Sequence, residues 1–305
     1  MRIVAEHLSY TYNAATLFAT TALKDVSLTV EEGEFFGIIG HTGSGKSTFV
    51  QHLNGLIRVP SSMKRYKKKK SKKNPPLPQT VLQVGEFDLT DKKTNFRELR
   101  RHVGLVFQYP EYQLFAESVK EDVAFGFKNF AEKKPTDGEV AEAVRAALEV
   151  VGLDYNEVAG KSPFELSGGQ KRRVAIAGVI VTRPEVLVLD EPAAGLDPVG
   201  KRENMELLHK LHREWCKTVV IVSHDMDEIS ENCTRAAVFA EGSVKYVLPP
   251  RELFRKRDEL RALGLDIPLT ARLLEKLEQA GVSVDCDFTA EDFIAKISAL
   301  RGDRA

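Results

Sequence analysis

The sequence predicts an α/β fold with a mainly parallel sheet and flanking helices. Short, continuously hydrophobic segments alternate with longer segments of helical periodicity, which is typical of strands covered on both faces. Three smaller parts accompany this core: an N-terminal antiparallel β-subdomain, an inserted helical subdomain and a small C-terminal helical extension.

The predicted strands follow the apolar segments in chain order. Near-continuous hydrophobic runs predict buried strands at residues 35–39, 102–107, 186–189 and 219–222. Residues 3–12 and 23–30 alternate more between apolar and polar side chains, so we predict an antiparallel edge sheet there.

Helical periodicity dominates the region between the second and third of these buried strands. Thr136 and Glu139 have capping-box spacing, apolar residues then recur on one helix face, and Gly152 ends the pattern. We therefore predict a helical subdomain at about residues 109–176, inserted into the sheet domain.

The strand pattern ends at about Val247, and three helical stretches follow at residues 252–263, 270–280 and 291–300. Thr289 and Asp292 predict a capping box at the start of the last one. We divide the chain into a main domain at 2–248 and a helical region at 249–305. The second part is too short for a large core, so we expect it to pack on the main domain or on a partner.

Composition narrows the class of protein. The chain has 305 residues, 43% of them hydrophobic, and 44 basic residues balance 44 acidic ones. This composition is that of a soluble globular protein, and its zero net charge gives no reason to expect a nucleic-acid partner. No apolar run approaches the roughly 20 residues that cross a bilayer. The N-terminus does not have the pattern of a signal peptide, so we expect any membrane contact to be peripheral.

The chain has three cysteines. Cys216, Cys233 and Cys286 are far apart without metal-ligand spacing, which favours reduced thiols in a cytosol.

A lysine-rich block lies at residues 64–73, which read KRYKKKKSKK, within an insertion at about 60–78. Self-repulsion predicts a solvated segment. Contact with anionic lipid, at about 1 kcal/mol per basic residue, is a second interpretation, and RNA binding is a third.

A glycine-rich motif follows the strand at 35–39. It fits G-x-x-x-x-G-K-[ST] and reads Gly40-His41-Thr42-Gly43-Ser44-Gly45-Lys46-Ser47, with Thr48 next to it. In such a loop the backbone N–H groups and the following helix N-terminus bind the phosphates of ATP. Lys46 is expected to reach the β- and γ-phosphates and Ser47 to coordinate Mg²⁺. The alternative is a glycine-rich turn with a surface lysine, which the strand before the motif and the helical pattern after it disfavour. Residues 40–47 are called the phosphate loop below.

The strand at 186–189 ends in two acidic residues. Asp190 is placed to hold Mg²⁺ through the water shell of the metal, and Glu191 to orient or deprotonate the attacking water. A hydrophobic strand that ends in Asp-Glu is a weak signal alone. Together with the phosphate loop it predicts the core of a P-loop NTPase.

A third motif lies upstream of Asp190 and reads Leu166-Ser167-Gly168-Gly169-Gln170. A Ser-Gly-Gly loop that enters a helix forms a second anion site, without a lysine of its own. This segment resembles the signature loop of ATP-binding-cassette ATPases, and the likeness covers nearly all of residues 2–248. The resemblance implies that Ser167, Gly168, Gly169 and Gln170 close over ATP held by another subunit, giving a head-to-tail dimer.

The resemblance also assigns roles to residues outside these motifs. It implies that Gln108 contacts Mg²⁺ and water, that His224 touches the γ-phosphate, and that Asp197, in the D-loop at residues 194–197, couples the two sites. With Lys46 and Glu191, Gln108 and His224 form the predicted catalytic set. Tyr12 is predicted to stack on adenine, with Tyr10 as the competitor; either is also consistent with an ordinary edge-strand aromatic.

Within this family the chain is most similar to the ATPases of energy-coupling-factor transporters, which import vitamins and transition-metal ions. The similarity rests on residues 40–43, 106–115, 122–126 and 264–270. It implies a peripheral ATPase at the cytoplasmic face of the cell membrane, with a transmembrane coupling subunit and a substrate-binding membrane subunit that selects the cargo. It further implies a heterodimer with a paralogous ATPase, held together by the C-terminal helices, although the motifs also permit a homodimer.

Two other functions are alternatives to a transport ATPase. A soluble cassette ATPase of translation or DNA repair usually fuses two cassettes or carries long coiled coils, and neither feature is seen here. A nucleotide sensor that does not hydrolyse ATP would need neither Glu191 nor His224. The sequence therefore favours an ATP hydrolase coupled to transport.

Overall fold

The computed structural model describes residues 1–60, 79–131 and 133–302. The lysine-rich block at 64–73 lies outside the described residues. The strands within them are β1 (Ile3–Tyr12), β2 (Thr20–Val30), β3 (Phe35–Ile39), β4 (Val81–Val84), β5 (Phe87–Asp88), β6 (Val103–Val106), β7 (Val186–Asp190), β8 (Thr218–Val222), β9 (Arg235–Ala240) and β10 (Ser243–Leu248).

The strands form two sheets that confirm the predicted fold class. The six-stranded sheet has the order β10-β9-β3-β8-β7-β6 and is parallel except for β10, which pairs antiparallel with β9. The four-stranded sheet, β2-β1-β4-β5, is antiparallel. Because β3, β6, β7 and β8 run in the same direction, the residues that follow them meet at one edge of the larger sheet.

Helices connect and cover these strands. In chain order they are α1 (Lys46–Leu53), α2 (Phe96–His102), α3 (Val119–Phe130), α4 (Asp137–Val150), α5 (Tyr155–Val158), α6 (Gly168–Ile180), α7 (Pro198–Glu214), α8 (Met226–Asn232), α9 (Pro250–Leu253), α10 (Arg257–Ala262), α11 (Leu269–Gln279) and α12 (Ala290–Gly302). No helix among the described residues is long and apolar enough to cross a membrane.

Two hydrophobic clusters lie on opposite faces of the six-stranded sheet. One lies between the two sheets and includes Phe36, Ile38 and Phe49 from β3 and α1. The other contains side chains of α3, α4 and α6 as well as residues of the C-terminal region. The alternation along β3 explains this division, because neighbouring side chains of a strand point to opposite faces.

The C-terminal region packs on the main domain, next to α8. The Ser230 hydroxyl donates to the Phe288 carbonyl at 2.8 Å, and Asp227 Oδ1 accepts from the Leu269 N–H at 2.7 Å. The Glu231 carboxylate accepts from the Ala290 N–H at 2.6 Å. These bonds fasten the C-terminal helices to the helix that begins two residues after His224.

The predicted helix at 252–263 was wrong. The structure has two short helices there, α9 and α10, separated at Phe254–Lys256. Leu253 and Phe254 are both fully buried in the same cluster, with the Phe254 ring 6.3 Å from the Phe288 ring. Lys256 leaves helical backbone geometry, with φ −85° and ψ 43°, so the helix is interrupted just after this buried pair.

Two smaller predictions need correction. His102 was predicted to begin a strand, but it ends α2, and β6 begins at Val103. The capping box at Thr289 and Asp292 is only half formed: the Thr289 hydroxyl accepts from the Asp292 N–H, but the Asp292 carboxylate accepts from the Asp287 N–H. The capping box at Thr136 and Glu139 is present in full.

Candidate functional site

The phosphate loop connects β3 to α1, and two of its glycines lie against neighbouring strands. Gly40 and Gly45 both have positive φ angles, 154° and 103°. A Cβ at Gly40 would lie 2.3 Å from the Phe239 carbonyl oxygen, and one at Gly45 would lie 2.5 Å from that of Ala22. Any side chain would therefore displace the loop from the strands beside it. The Ser44 side chain inside the loop is buried.

Lys46 begins α1 and folds back over the phosphate loop. Its buried ammonium donates to the carbonyl oxygens of Gly40 at 2.6 Å and His41 at 3.0 Å. Burial lowers the pKa of Lys46, while the carboxylates of Glu191 and Asp190 raise it. The lysine thus lies between the loop carbonyls and the acidic end of β7.

Asp190 ends β7 opposite the start of α1. Burial raises the pKa of Asp190, and the hydrogen bond that its carboxylate accepts from the Ser47 hydroxyl lowers it. These two groups offer oxygen ligands of the kind that Mg²⁺ takes in proteins. The donor set at this point therefore fits a magnesium ion.

Glu191 lies at the centre of the site. Its backbone is left-handed, with φ 51°, and its N–H donates to the Val222 carbonyl at 2.9 Å, which ties it to the end of β8. The Gln108 amide donates to Glu191 Oε2 at 3.0 Å. His224 Nδ1 lies 3.5 Å from the same oxygen. The parallel register of β6, β7 and β8 thus brings together three predicted catalytic residues.

A cavity of about 280 Å³ opens beside this group and is lined by Gln108, Glu191 and His224. Lys201 pairs with Asp225 at 2.8 Å on its wall. Since both Glu191 and His224 face the same small space, a water molecule held there would contact groups able to accept and relay a proton.

The signature loop, residues 166–170, begins α6. The Ser167 hydroxyl accepts from the Gln170 N–H at 3.3 Å, and the Gln170 side chain accepts from the Ser167 N–H at 3.1 Å, a complete capping box. A Cβ at Gly168 or Gly169 would meet nothing within 4 Å. The packing of this chain therefore does not require these glycines, which leaves the turn open to a group from outside.

Asp197 caps the N-terminus of α7, where its carboxylate accepts from the Gly200 N–H at 2.7 Å.

Tyr12 ends β1, and its hydroxyl lies 3.2 Å from that of Thr48 on α1. The Tyr12 side chain is 36% exposed, whereas the Tyr10 ring packs edge-on against Tyr12 and His52, at 4.8 and 4.9 Å. Of the two tyrosines, Tyr12 is the one that presents a surface next to the phosphate loop.

The comparisons with known proteins agree with this geometry. The family model described as ABC transporter matches residues 23–194. The chain belongs to the ABC transporter family. As a member it is an ATPase, which confirms the predicted activity.

Curated relatives narrow the resemblance within the family. The energy-coupling factor transporter ATP-binding protein EcfA2 of Symbiobacterium thermophilum is 47% identical, over 99% of this chain and 96% of that protein. EcfA2 of Caldanaerobacter subterraneus subsp. tengcongensis is 44% identical, over 94% and 93%. This ABC ATPase is therefore most like the ATP-binding subunits of energy-coupling-factor transporters, as its sequence predicted.

Solved structures show the same fold. cbiO1 of Clostridium perfringens, part of the ABC transporter complex cbiONQ, matches with a TM-score of 0.68 and 35% identity, covering 90% of this chain and 98% of that one. An ATP-binding cassette solved as a dimer with ADP and phosphate matches with a TM-score of 0.66 and 27% identity, covering 82% and 99%.

Sequence reasoning overlooked one buried residue of this ABC ATPase. Arg172 on α6 is only 6% exposed and donates to the Ala194 carbonyl, in the D-loop, at 3.0 Å. It lies within the run Lys171-Arg172-Arg173, which looks like an ordinary charged surface. The helical spacing offers a signal, since Arg172 is followed by the buried residues Ile176 and Ile180 at intervals of four.

Proposed function

We propose that this chain hydrolyses Mg²⁺-ATP as the energising subunit of an energy-coupling-factor-type importer of a vitamin or transition-metal ion. The observation that carries the proposal is the convergence of Lys46, Asp190, Glu191, Gln108 and His224 at one edge of the sheet. A sensor that only binds nucleotide has no use for Glu191 and His224 around a shared cavity. The relatives named EcfA2 match over nearly the whole chain, which favours a transport role over one in translation or repair.

The phosphate loop is proposed to bind the triphosphate. Lys46 moves its ammonium from the carbonyls of Gly40 and His41 to the β- and γ-phosphates, and the N–H groups of residues 41–48 donate to the phosphate oxygens. Ser47, Asp190 and Gln108 would hold Mg²⁺, which would supply positive charge to the phosphates. Tyr12 stacks on adenine.

Glu191 is proposed to accept a proton from the attacking water, and His224 to contact the γ-phosphate. The support is geometric: both lie beside the 280 Å³ cavity, and Gln108 reaches the same carboxylate. In the free protein the Gln108 amide donates to Glu191 and restrains its side chain. Release of this hydrogen bond would leave the Glu191 carboxylate able to orient water.

The active unit is proposed to be a head-to-tail dimer. Ser167, Gly168, Gly169 and Gln170 would then close over ATP bound to the partner, and Asp197 would connect the two sites. The exposed, unencumbered turn of the signature loop supports this arrangement, as does the dimeric cassette among the solved neighbours. We further propose a paralogous ATPase as partner, with residues 249–305 adding to the contact through exposed apolar residues of α11 and α12, Leu269, Leu273 and Ile294.

A groove lined by residues of β6, α3 and α6 is proposed to receive the transmembrane coupling subunit. It has a volume of about 260 Å³, and the rings of Phe115 and Phe125 meet edge to face at its wall, 5.0 Å apart. Both rings are more than half exposed, at 61% and 53%. The Asp122 carboxylate accepts from the N–H groups of Phe115 and Ala116, which fixes the wall. An apolar helix end is the partner that such a groove fits. We call it the coupling groove.

Co-expression tests this proposal directly. The chain alone should be largely monomeric with low ATPase activity, because each site lacks a signature loop from a partner. Co-expression with the paralogue and the membrane subunits should give a one-to-one ATPase pair in the membrane fraction and restore turnover. A homodimer that supports full transport without a second ATPase would contradict the heterodimer while leaving the composite site intact. Purification without any membrane partner would contradict the transport role.

A further inference from the structure

Arg172 is a buried cation where three functional segments of the chain meet. It projects from α6, two residues after Gln170 of the signature loop. One terminal nitrogen, Nη1, donates to the Ala194 carbonyl at 3.0 Å. The guanidinium therefore joins the helix of the signature loop to the D-loop, whose Asp197 caps the N-terminus of α7.

The third segment is the turn that follows Gln108. Tyr109 has a left-handed backbone with φ 56°, and Pro110–Gln113 form a 3₁₀ turn. The Tyr109 ring packs over the D-loop: its Cε1 atom lies 3.3 Å from the position of a Cβ on Gly195. Burial lowers the pKa of Arg172, while the Glu111 carboxylate and Tyr109 raise it. Both residues of the turn therefore lie within electrostatic reach of the guanidinium.

Two charged atoms at this junction lack a hydrogen-bond partner. Within the described part of the chain, Arg172 Nη2 and Glu111 Oε2 are both buried and accept or donate no hydrogen bond. Buried charged groups are normally paired, since an unpaired one loses its hydration without compensation. An arginine and a glutamate within electrostatic reach of each other, each with one unbonded buried atom, are complementary, because a guanidinium N–H donates and a carboxylate oxygen accepts.

We propose that Arg172 is a positioning residue that joins the D-loop to the turn after Gln108, holding Ala194 with one nitrogen and pairing with Glu111 through the other when ATP is bound. This inference rests on the ATPase function of the site. Gln108 lies directly before the turn, and Glu191 lies three residues before Ala194. The link therefore fixes the position of Gln108 relative to Glu191 without contacting ATP.

Arg172→Met and Glu111→Gln test this link in the assembled complex. Each should lower kcat about tenfold, with KM for ATP unchanged, because neither residue contacts nucleotide. The kcat of Arg172→Lys should lie between those of Arg172→Met and the wild type. An ammonium reaches one partner but lacks the forked geometry that reaches both. The double variant Arg172→Met/Glu111→Gln should be no slower than Arg172→Met, as expected for two residues that act through one contact.

The controls separate this role from stability and from the ATPase function itself. Arg145→Gln removes an arginine of the same helical subdomain that stacks on Tyr155, 4.2 Å from the ring centre, and should retain wild-type kcat. Thermal unfolding of Glu111→Gln, which preserves side-chain shape, should be close to wild type. The kcat of the wild-type complex tests the ATPase function, and the kcat of each variant relative to wild type tests the link. The proposal would be overturned if Glu111→Gln and Arg172→Lys both retained wild-type kcat. It would also be overturned if the double variant lowered kcat by the product of the two single effects.

Discussion

The Gln108 amide donates to Glu191 Oε2 at 3.0 Å, joining two residues that are 83 positions apart in the chain. His224 Nδ1 approaches the same oxygen at 3.5 Å. A single carboxylate oxygen thus meets the glutamine proposed to hold the metal and the histidine proposed to contact the γ-phosphate. The left-handed backbone of Glu191 turns its side chain toward both.

Lys46→Ala should weaken ATP binding roughly 10- to 100-fold, since hydrogen bonds to charged groups contribute about 1.5–3 kcal/mol. The loss should be as large for inorganic triphosphate, because Lys46 acts on the phosphates. Equilibrium binding to the purified chain measures this, with thermal unfolding as the control for folding. Unchanged affinity would show that the lysine bonds only the loop carbonyls.

Tyr12→Ala should weaken ATP binding about tenfold, since stacking of a base on an aromatic ring is worth about 1–3 kcal/mol. Binding of inorganic triphosphate should not change, because Tyr12 is proposed to contact only adenine. Tyr12→Phe retains the ring, loses the contact with Thr48, and should bind ATP almost as the wild type does. If Tyr12→Ala binds ATP normally, Tyr10 or another residue holds the base.

The buried parallel strands could be predicted because covering both faces of a strand requires a continuous apolar run. β3, β7 and β8 have such runs and were found within one residue of their observed ends. The short β4 and β5, and the antiparallel hairpin of β9 and β10, were not predicted. β4 and β5 have few consecutive apolar residues, and β4 is stabilised by pairing with the distant β1. β9 has an apolar run, but it consists largely of alanine, which is depleted in strands.

The motifs of the site were also visible in sequence, but their contacts were not. The phosphate loop and the acidic end of β7 have distinctive residues at fixed spacing. The contact of Gln108 with Glu191 depends on which strands are neighbours, and a single sequence does not specify that order. Arg172 was missed because burial of a charged residue depends on what packs over it: here, Ala194 and the turn that contains Glu111.

Phe115→Asp should uncouple ATP hydrolysis from transport, because a charge in the coupling groove opposes burial of an apolar partner. Transport should fall at least tenfold while nucleotide binding is retained, and co-purification with the membrane subunit should weaken. Leu17→Asp is the control: Leu17 is also exposed but lies in the turn between β1 and β2, away from this groove. Normal assembly and transport of Phe115→Asp would exclude the groove as the docking site.

Asp190→Asn should stabilise the Mg²⁺-free protein at neutral pH, because burial raises the pKa of Asp190 in the folded state. A carboxyl with a raised folded pKa contributes most stability below its unfolded pKa, about 3.9, and loses that contribution as pH rises through the folded pKa. The wild-type free energy of unfolding should therefore fall with rising pH across this window, relative to Asp190→Asn. Urea unfolding in EDTA at a series of pH values measures the difference.

Asp225 provides the matched control for this pH series. Burial raises its pKa, but the hydrogen bond from Lys201 and bonds from the backbone of α8 outweigh burial and leave the pKa lowered. Its stabilising contribution is present above the unfolded pKa and is lost as pH falls through the folded pKa. Asp225→Asn should therefore destabilise the protein at neutral pH, opposite in sign to Asp190→Asn. Effects of the same sign in the two variants would contradict the conclusion that burial raises the pKa of Asp190.

The rate of ATP hydrolysis by Glu191→Gln in the assembled complex tests the central claim most directly. The amide keeps the size of the side chain and loses the basic oxygen, so kcat should fall by roughly 10²- to 10⁴-fold, the usual contribution of a general base. ATP affinity should be retained, and the ATPase pair should accumulate in an ATP-bound state. Turnover near the wild-type rate would contradict the role of Glu191 and, with it, the proposed mechanism.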